Sequence, residues 1–210
     1  MDNFYIQTLP SETAKIVDKL QKERLDFLEK FYLSGGTALS LQLGHRESED
    51  LDFFTGSKFK PVFLQSELEK LGQLRNVEIA KGTFNVFIDG VKLQFLEYPY
   101  QLLKKCSKFG QISLSSVIDI ACTKLQTIGA RGSKKDFIDL FFILDKYSLD
   151  ELFIQLKNKY SKTIYNEAHI LKSLVYFVDA DKQPDPRMHK NVTWVEVKSK
   201  IMEKVREFSI

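Results

Sequence analysis

Cysteine is nearly absent from this chain. Cys106 and Cys122 are too few for a disulfide framework and form no CxxC knuckle for a metal. Thiols used so sparingly fit a reducing compartment, which predicts a cytoplasmic protein. Histidine is equally scarce, with 3 residues scattered at 45, 169 and 189, so a histidine-based zinc site is not expected. An excess of one charge is missing too. Lys and Arg number 31 against 28 Asp and Glu, and a net charge of +3 is too small and too mixed to predict tight nonspecific nucleic-acid binding. Only local basic patches remain open to that role. No apolar run approaches the roughly 18 residues of a membrane-spanning helix, and no membrane partner is expected. The opening MDNFYIQTLPSETAKIVDKL mixes charge into every short apolar stretch, unlike a secretory signal. Internal repeats and low-complexity tracts are absent as well.

What is present is the composition of a globular protein, 43% apolar and 28% charged. Its 210 residues suffice for one medium domain or two small ones. Apolar residues at Ile16, Leu20, Leu25 and Leu28 predict one long helix from Pro10 to Lys30, with Ser11 as its cap. Phe31-Tyr32-Leu33 reads as a short buried strand, and Ala38 to Leu43 as a short helix closed by Gly44. Asp50 to Phe54 alternates polar and apolar as a strand does. Pro61 suits the first position of a helix running to about Leu71. Three strands follow at 77–80, 83–88 and 91–96, the last two joined by the hairpin signal Asp89-Gly90. From Ser115 the pattern is helical, near 115–130, 134–146, 149–159, 164–177 and 193–207, with a break at QPDP, 183–186. The chain is thus expected to be α+β, with a mixed core over 1–110 and a helical bundle over 111–210.

The stretch SGGTALSLQLGHRESEDLDFF, Ser34 to Phe54, carries the chemistry. Side chains two apart on a strand share a face, so Asp50 and Asp52 project together while Leu51 and Phe53 point into the core. Paired carboxylates repel, and a divalent cation relieves that repulsion by taking oxygen ligands from both. Glycines ahead of a helix let phosphate oxygens approach backbone N–H groups at the positive end of its dipole. A phosphate cradle beside a two-carboxylate metal site is the equipment of phosphoryl or nucleotidyl transfer.

The Gly-Gly, spacer, Asp-hydrophobic-Asp pattern resembles the DNA polymerase beta-type nucleotidyltransferase superfamily. GGTAL with LGHRxSxDLDFF, VKLQFLEYPY and SSVIDIACTKLQTIGARGSKKDFIDLFFIL resembles its AbiEii/AbiGii toxin branch across about residues 30–145. The resemblance implies a nucleotidyltransferase-type mixed sheet with flanking helices. It also implies transfer of a nucleoside monophosphate from an NTP to an acceptor hydroxyl, with Mg2+ or Mn2+ as cofactor. The acceptor would be RNA, such as tRNA, or a protein, and a cognate antitoxin is an implied partner. Gly35, Gly36 and Thr37 match the nucleotide-phosphate turn, with Ser34 and Arg46 beside them, and Asp50 and Asp52 match the metal pair. Lys124 and Asp136 match the residues that complete the pocket, with Asp139 next to them.

The residues themselves leave several of these roles open. Lys124 reads either as a cation reaching a triphosphate or as a snorkelling surface lysine. Asp136 and Asp139 share a helix face, and are also ordinary helix-start acids. Arg46 suits a phosphate or a pairing with Glu47, Glu49 or the aspartates. The basic run 131–135 suits an anionic substrate or a solvated loop, and Tyr98 and Tyr100 suit base stacking or packing. Gln94 stands where the superfamily has a third carboxylate. An amide is no base and a weak metal ligand, so a catalytically degenerate nucleotide- or RNA-binding module is the rival expectation.

Overall fold

The computed structural model describes residues 4–23 and 25–208. Its contacts divide the chain into two compact units, Met1–Gln101 with Lys105–Ser116, and Leu102–Lys104 with Val117–Ile210. The architecture is α+β.

The first unit is built on a seven-stranded sheet. Its strands are β1 (Tyr32–Ser34), β2 (Leu51–Thr55), β3 (Leu74–Ala80), β4 (Thr83–Ile88), β5 (Val91–Glu97), β6 (Ser107–Phe109) and β7 (Ile112–Leu114). Their order is β3-β4-β5-β2-β1-β7-β6. β2 is antiparallel to β1 and parallel to β5, so the sheet is mixed. Asp89 and Gly90, at φ 50° and 83°, make the tight β4–β5 turn that their sequence signals.

Burial alternates along β4 and β5 and over the first three residues of β2. Phe53, Leu93, Phe95, Phe84 and Val86 face the core, whereas Asp52, Gln94 and Asn85 face outward and are half-buried. Phe95 is the hub of the buried face. It stacks on Phe53 at 5.1 Å and meets Phe31 and Phe27 edge-on at 5.2 and 5.9 Å. Pairs of this kind add about 0.5–1.5 kcal/mol each to area burial.

The helices of this unit depart from expectation at two points. Instead of one helix from 10 to 30, α1 covers Ser11–Lys22, and a 3₁₀ turn follows at Asp26–Lys30; Arg24 lies outside the described residues. A continuous helix would carry Leu25 about 140° round from Leu20 at 100° per residue. The break resets the phase, so that Leu20, Leu25, Phe27 and Leu28 are all buried. Pro10, not Ser11, takes the N-cap position. The helix α2 spans Gly35–Leu43 and so begins three residues before Ala38; it ends, as expected, at a left-handed Gly44 with φ 64°. α3 (Pro61–Leu68) starts on its proline.

The second unit holds α4 (Val117–Ala130), α5 (Lys134–Ile143), α6 (Leu149–Lys159), α7 (Glu167–Leu174), α8 (Val178–Asp181) and α9 (Trp194–Glu207). Capping boxes at Ser133/Asp136, Ser148/Glu151 and Thr193/Glu196 open α5, α6 and α9. Among the described residues, no helix is long and apolar enough to cross a membrane. Cys122 is buried, which pushes its thiol up to about 12.

Truncating the core hub is the direct test of this packing. Phe95→Ala is expected to lower the unfolding free energy by about 3–5 kcal/mol, read from urea titration at constant m-value.

Candidate active site

The register of the first two strands sets the geometry. β1 runs out at Ser34 opposite Asp52, and the chain turns there directly into α2. Gly35 and Gly36 are therefore the first two residues of the helix itself. Their N–H groups, with that of Thr37, belong to the first turn, where no intrahelical acceptor exists, and Ser34 makes no side-chain cap. Gly35 adopts φ 65°, and a Cβ there would overlap the Asp52 carboxylate. Only glycine lets that carboxylate lie against the helix start.

Asp50 immediately precedes β2 and is exposed, and Asp52 is half-buried; the buried Leu51 and Phe53 alternate with them. This period-two burial puts both acids on the open side of the sheet. The Thr37 hydroxyl donates to the Asp50 carbonyl, tying the strand entrance to the first helical turn. Beneath Gly36 lie Arg46 and Ser48, whose Nη2 and Oγ would be 2.7 and 2.9 Å from an added Cβ. Arg46 is 2% exposed, and its Nη1 donates to the Glu47 carbonyl at 2.8 Å. Ser34 is buried as well, its hydroxyl accepting from Ser115 Oγ at 2.9 Å.

Gln94 is in register with Asp52 on the parallel neighbour β5, and Asn85 is in register with Gln94 on β4. In-register residues share a face, so the row reads carboxylate, amide, amide. Among the described residues, no group of three or more His, Cys, Asp or Glu could hold a metal ion. The donors at this place are the Asp50 and Asp52 carboxylates. A pair of carboxylates fits magnesium, which keeps several waters and takes further oxygens from a bound phosphate.

Lys124, Asp136 and Asp139 lie in the second unit and meet one another there. The Lys124 ammonium is 2.7 Å from Asp136 and 2.6 Å from Asp139, and all three residues are buried. Asp136 also accepts from Ser133 Oγ at 2.7 Å as the capping acid of α5. Two carboxylates against one ammonium leave the cluster with a formal charge of −1. Lys124 is thus not a snorkelling surface lysine. In the basic run, Lys134 turns inward to Asp185 at 3.1 Å and over the Trp194 ring, while Arg131 and Lys135 are exposed. Tyr98 packs between Phe54 and Tyr100, each at 4.8 Å.

The sequence reading missed a second buried pair, Lys159 with Asp119 at 2.7 Å. Asp119 also accepts from the Leu103 and Lys104 N–H groups, at 2.9 and 3.3 Å. Lys159 lies three residues after Leu156 and seven after Leu152, on the buried stripe of α6, and that spacing was one available signal. Asp119, in the otherwise apolar SSVIDIACTKL, was the other.

Comparison with known proteins agrees with this architecture. The fold is that of nucleotidyltransferases. It matches an H. pylori protein described as a putative nucleotidyltransferase (TM-score 0.55, 18% identity, 92% of this chain and 89% of the other). It also matches the nucleotidyltransferase toxin MenT4 from Mycobacterium tuberculosis (TM-score 0.57, 14% identity, 95% and 87%). An uncharacterised protein of Aquifex aeolicus, aq_aa25, is 38% identical over 207 residues, 90% of this chain and 98% of the relative. Residues 20–102 match the model described as nucleotidyl transferase AbiEii toxin, type IV toxin–antitoxin system. The chain belongs to this AbiEii nucleotidyltransferase toxin family.

The buried cluster generates a prediction of its own. Lys124→Met strands two carboxylates, so it should destabilise the protein by about 3–5 kcal/mol. The triple Lys124→Met, Asp136→Asn, Asp139→Asn should recover much of that loss, as a thermal melt of each variant would read.

Proposed function

We propose that this protein is a metal-dependent nucleotidyltransferase toxin that moves a nucleoside monophosphate from an NTP to an acceptor hydroxyl. The acceptor is RNA, such as a tRNA end, or a protein, and a cognate antitoxin restrains the toxin in the cytoplasm. The observation that carries this reading is the Asp52 carboxylate seated against the glycine-lined N-terminus of α2, with Asp50 two residues before it along the chain.

In this mechanism the Gly35, Gly36 and Thr37 N–H groups hold the phosphates. Arg46 acts from beneath, because its burial makes it a support for the Gly36 backbone and a fixed positive charge. Asp50 and Asp52 would hold Mg2+ or Mn2+, which supplies charge neutralisation and polarisation of the phosphoryl oxygens. Lys124 neutralises triphosphate charge, and Asp136 orients the acceptor hydroxyl or takes its proton as pyrophosphate departs. These two roles are supported by the family resemblance of their helices; in the structure the Lys124 ammonium is engaged by Asp136 and Asp139.

One observation favours a second reading. Gln94, in register with Asp52, brings an amide where a third charge would strengthen a catalytic metal site. A degenerate module of the same fold would bind nucleotide or RNA without turnover.

Incubation with each labelled triphosphate, magnesium and total RNA separates the two readings. Covalent label is expected with wild type and loss of at least about 100-fold with Asp50→Asn or Asp52→Asn, the variants melting within a few degrees of the parent. A nucleotide-induced rise in melting temperature that requires magnesium, without any label on RNA or protein, would leave the binding module.

Gln94 yields a separate expectation. With two formal charges from the sheet, magnesium should bind weakly alone and enter mainly with the triphosphate, whose oxygens complete its shell. Gln94→Asp adds a unit charge and should tighten magnesium binding to the nucleotide-free protein by about tenfold or more. Calorimetry showing tight binding to wild type, unchanged in the variant, would remove Gln94 from the site.

A further inference from the structure

On the first unit, away from the acids, lies a cavity of about 280 Å³ lined by Phe27, Lys30, Phe31, Lys58, Phe59, Lys60, Phe63 and Leu64. Four of its eight lining residues are phenylalanines, three are lysines and none is acidic. The residue pattern explains the segregation. In the 3₁₀ turn Asp26–Lys30, positions i and i+3 eclipse. Phe27 and Lys30 therefore face one way, into this cavity, while Asp26 and Glu29 face the other and line a different one.

The walls are organised rather than loose. Phe27 and Phe31 are buried and anchored on Phe95, and Phe31 meets Phe59 edge-on at 5.5 Å. The Phe59 N–H donates to Glu97 at 3.3 Å, which fixes the loop between β2 and α3. At the mouth, Phe63 is 55% exposed on the first turn of α3. Among the described residues, the Lys30, Lys58 and Lys60 ammonium groups make no ion pair or hydrogen bond. Unpaired cations around an aromatic slot leave two needs unmet: negative charge at the rim, and a flat apolar body inside.

We propose that this cavity binds single-stranded RNA, one base entering against Phe59 and Phe63 while neighbouring phosphates meet Lys30, Lys58 and Lys60. Base stacking on aromatic rings with lysines tracking the backbone is the general means of holding single strands. The absence of any amide or carboxylate in the lining predicts tolerance of base identity. The site is distinct from the acids in both end and face. Phe31 precedes β1, whereas Asp52 sits opposite its last residue, and the phenylalanines lie on the core side of a sheet whose other face carries Asp52. It would hold the body of an RNA whose reacting end lies elsewhere. The inference needs no transfer chemistry, so its failure and that of the nucleotidyltransferase reading are separable.

The test is fluorescence anisotropy with a labelled 12-nucleotide oligo(U), titrated with wild type, Lys30→Gln/Lys58→Gln/Lys60→Gln, Phe63→Ala and, as a control at an exposed lysine outside the cavity, Lys105→Gln. Wild type and Lys105→Gln should bind alike. Phe63→Ala should weaken binding about tenfold, and the lysine triple at least as much. The slope of log affinity against log salt should fall from wild type to the triple by about 2, as expected for three phosphates on a single strand. Lys30, Lys58, Lys60 and Phe63 are all exposed, so circular dichroism of the lysine triple and of Phe63→Ala should be unchanged. No RNA binding, or binding indifferent to the lysine triple and Phe63→Ala, overturns the proposal. So does saturable binding of a Phe-containing polyglutamate peptide that the same variants abolish, with no RNA binding. That outcome would assign the cavity to an acidic protein partner.

Discussion

The contact on which the candidate site depends is that between the Asp52 carboxylate and the bare α-carbon of Gly35. It exists because β1 and β2 pair antiparallel with Ser34 opposite Asp52, so the helix that follows β1 must start beside the acid. A residue with a Cβ would push the carboxylate away and would also resist φ 65°. Around this point the neighbours are all used. Thr37 ties the helix to the Asp50 carbonyl, and Arg46 and Ser48 fill the space under Gly36. The positive end of α2 and the Asp52 carboxylate thus meet at one spot with opposite signs.

The sheet serves two purposes with one alternation. Its inner face is an aromatic core centred on Phe95, and its outer face is a polar row from Asp52 through Gln94 to Asn85. Because side chains alternate with period two, locking Phe53 and Phe95 inward also locks Asp52 and Gln94 outward. The core therefore holds the site in register. The same core supports Phe27 and Phe31, so the aromatic cavity on the far side rests on the rings that fix the acids.

In the second unit, polar chemistry is buried rather than displayed. Lys124 bridges Asp136 and Asp139, and Lys159 meets Asp119 where it gathers the Leu103 and Lys104 amides. Such clusters contribute little net stability, but losing one partner is costly. Asp136 serves at once as capping acid, ion-pair partner and candidate catalytic group. Activity lost on mutating it reports on catalysis only alongside a stability measurement.

Much of this was legible in the residues. The strand 50–54, the Asp89-Gly90 hairpin, the glycine stop at Gly44 and the helices from 117 onward other than the short α8 rest on local periodicity and turn chemistry, which act within a few residues. Other features were not local. The strands β6 and β7 have three residues each, too few to show a period, and β7 lies between β6 and β1 in the sheet. The first helix broke because Leu25 had to share a core with Leu20, a demand set by what packs against it. The start of α2 at Gly35, the burial of Arg46 and the inward turn of Lys124, Lys134 and Lys159 depend on partners 10 to 50 residues away. The sequence by itself determined which residues bear the chemistry and which alternate inward. Tertiary structure decided which charges face water and which are paired, because desolvation is settled only when distant segments close over a side chain.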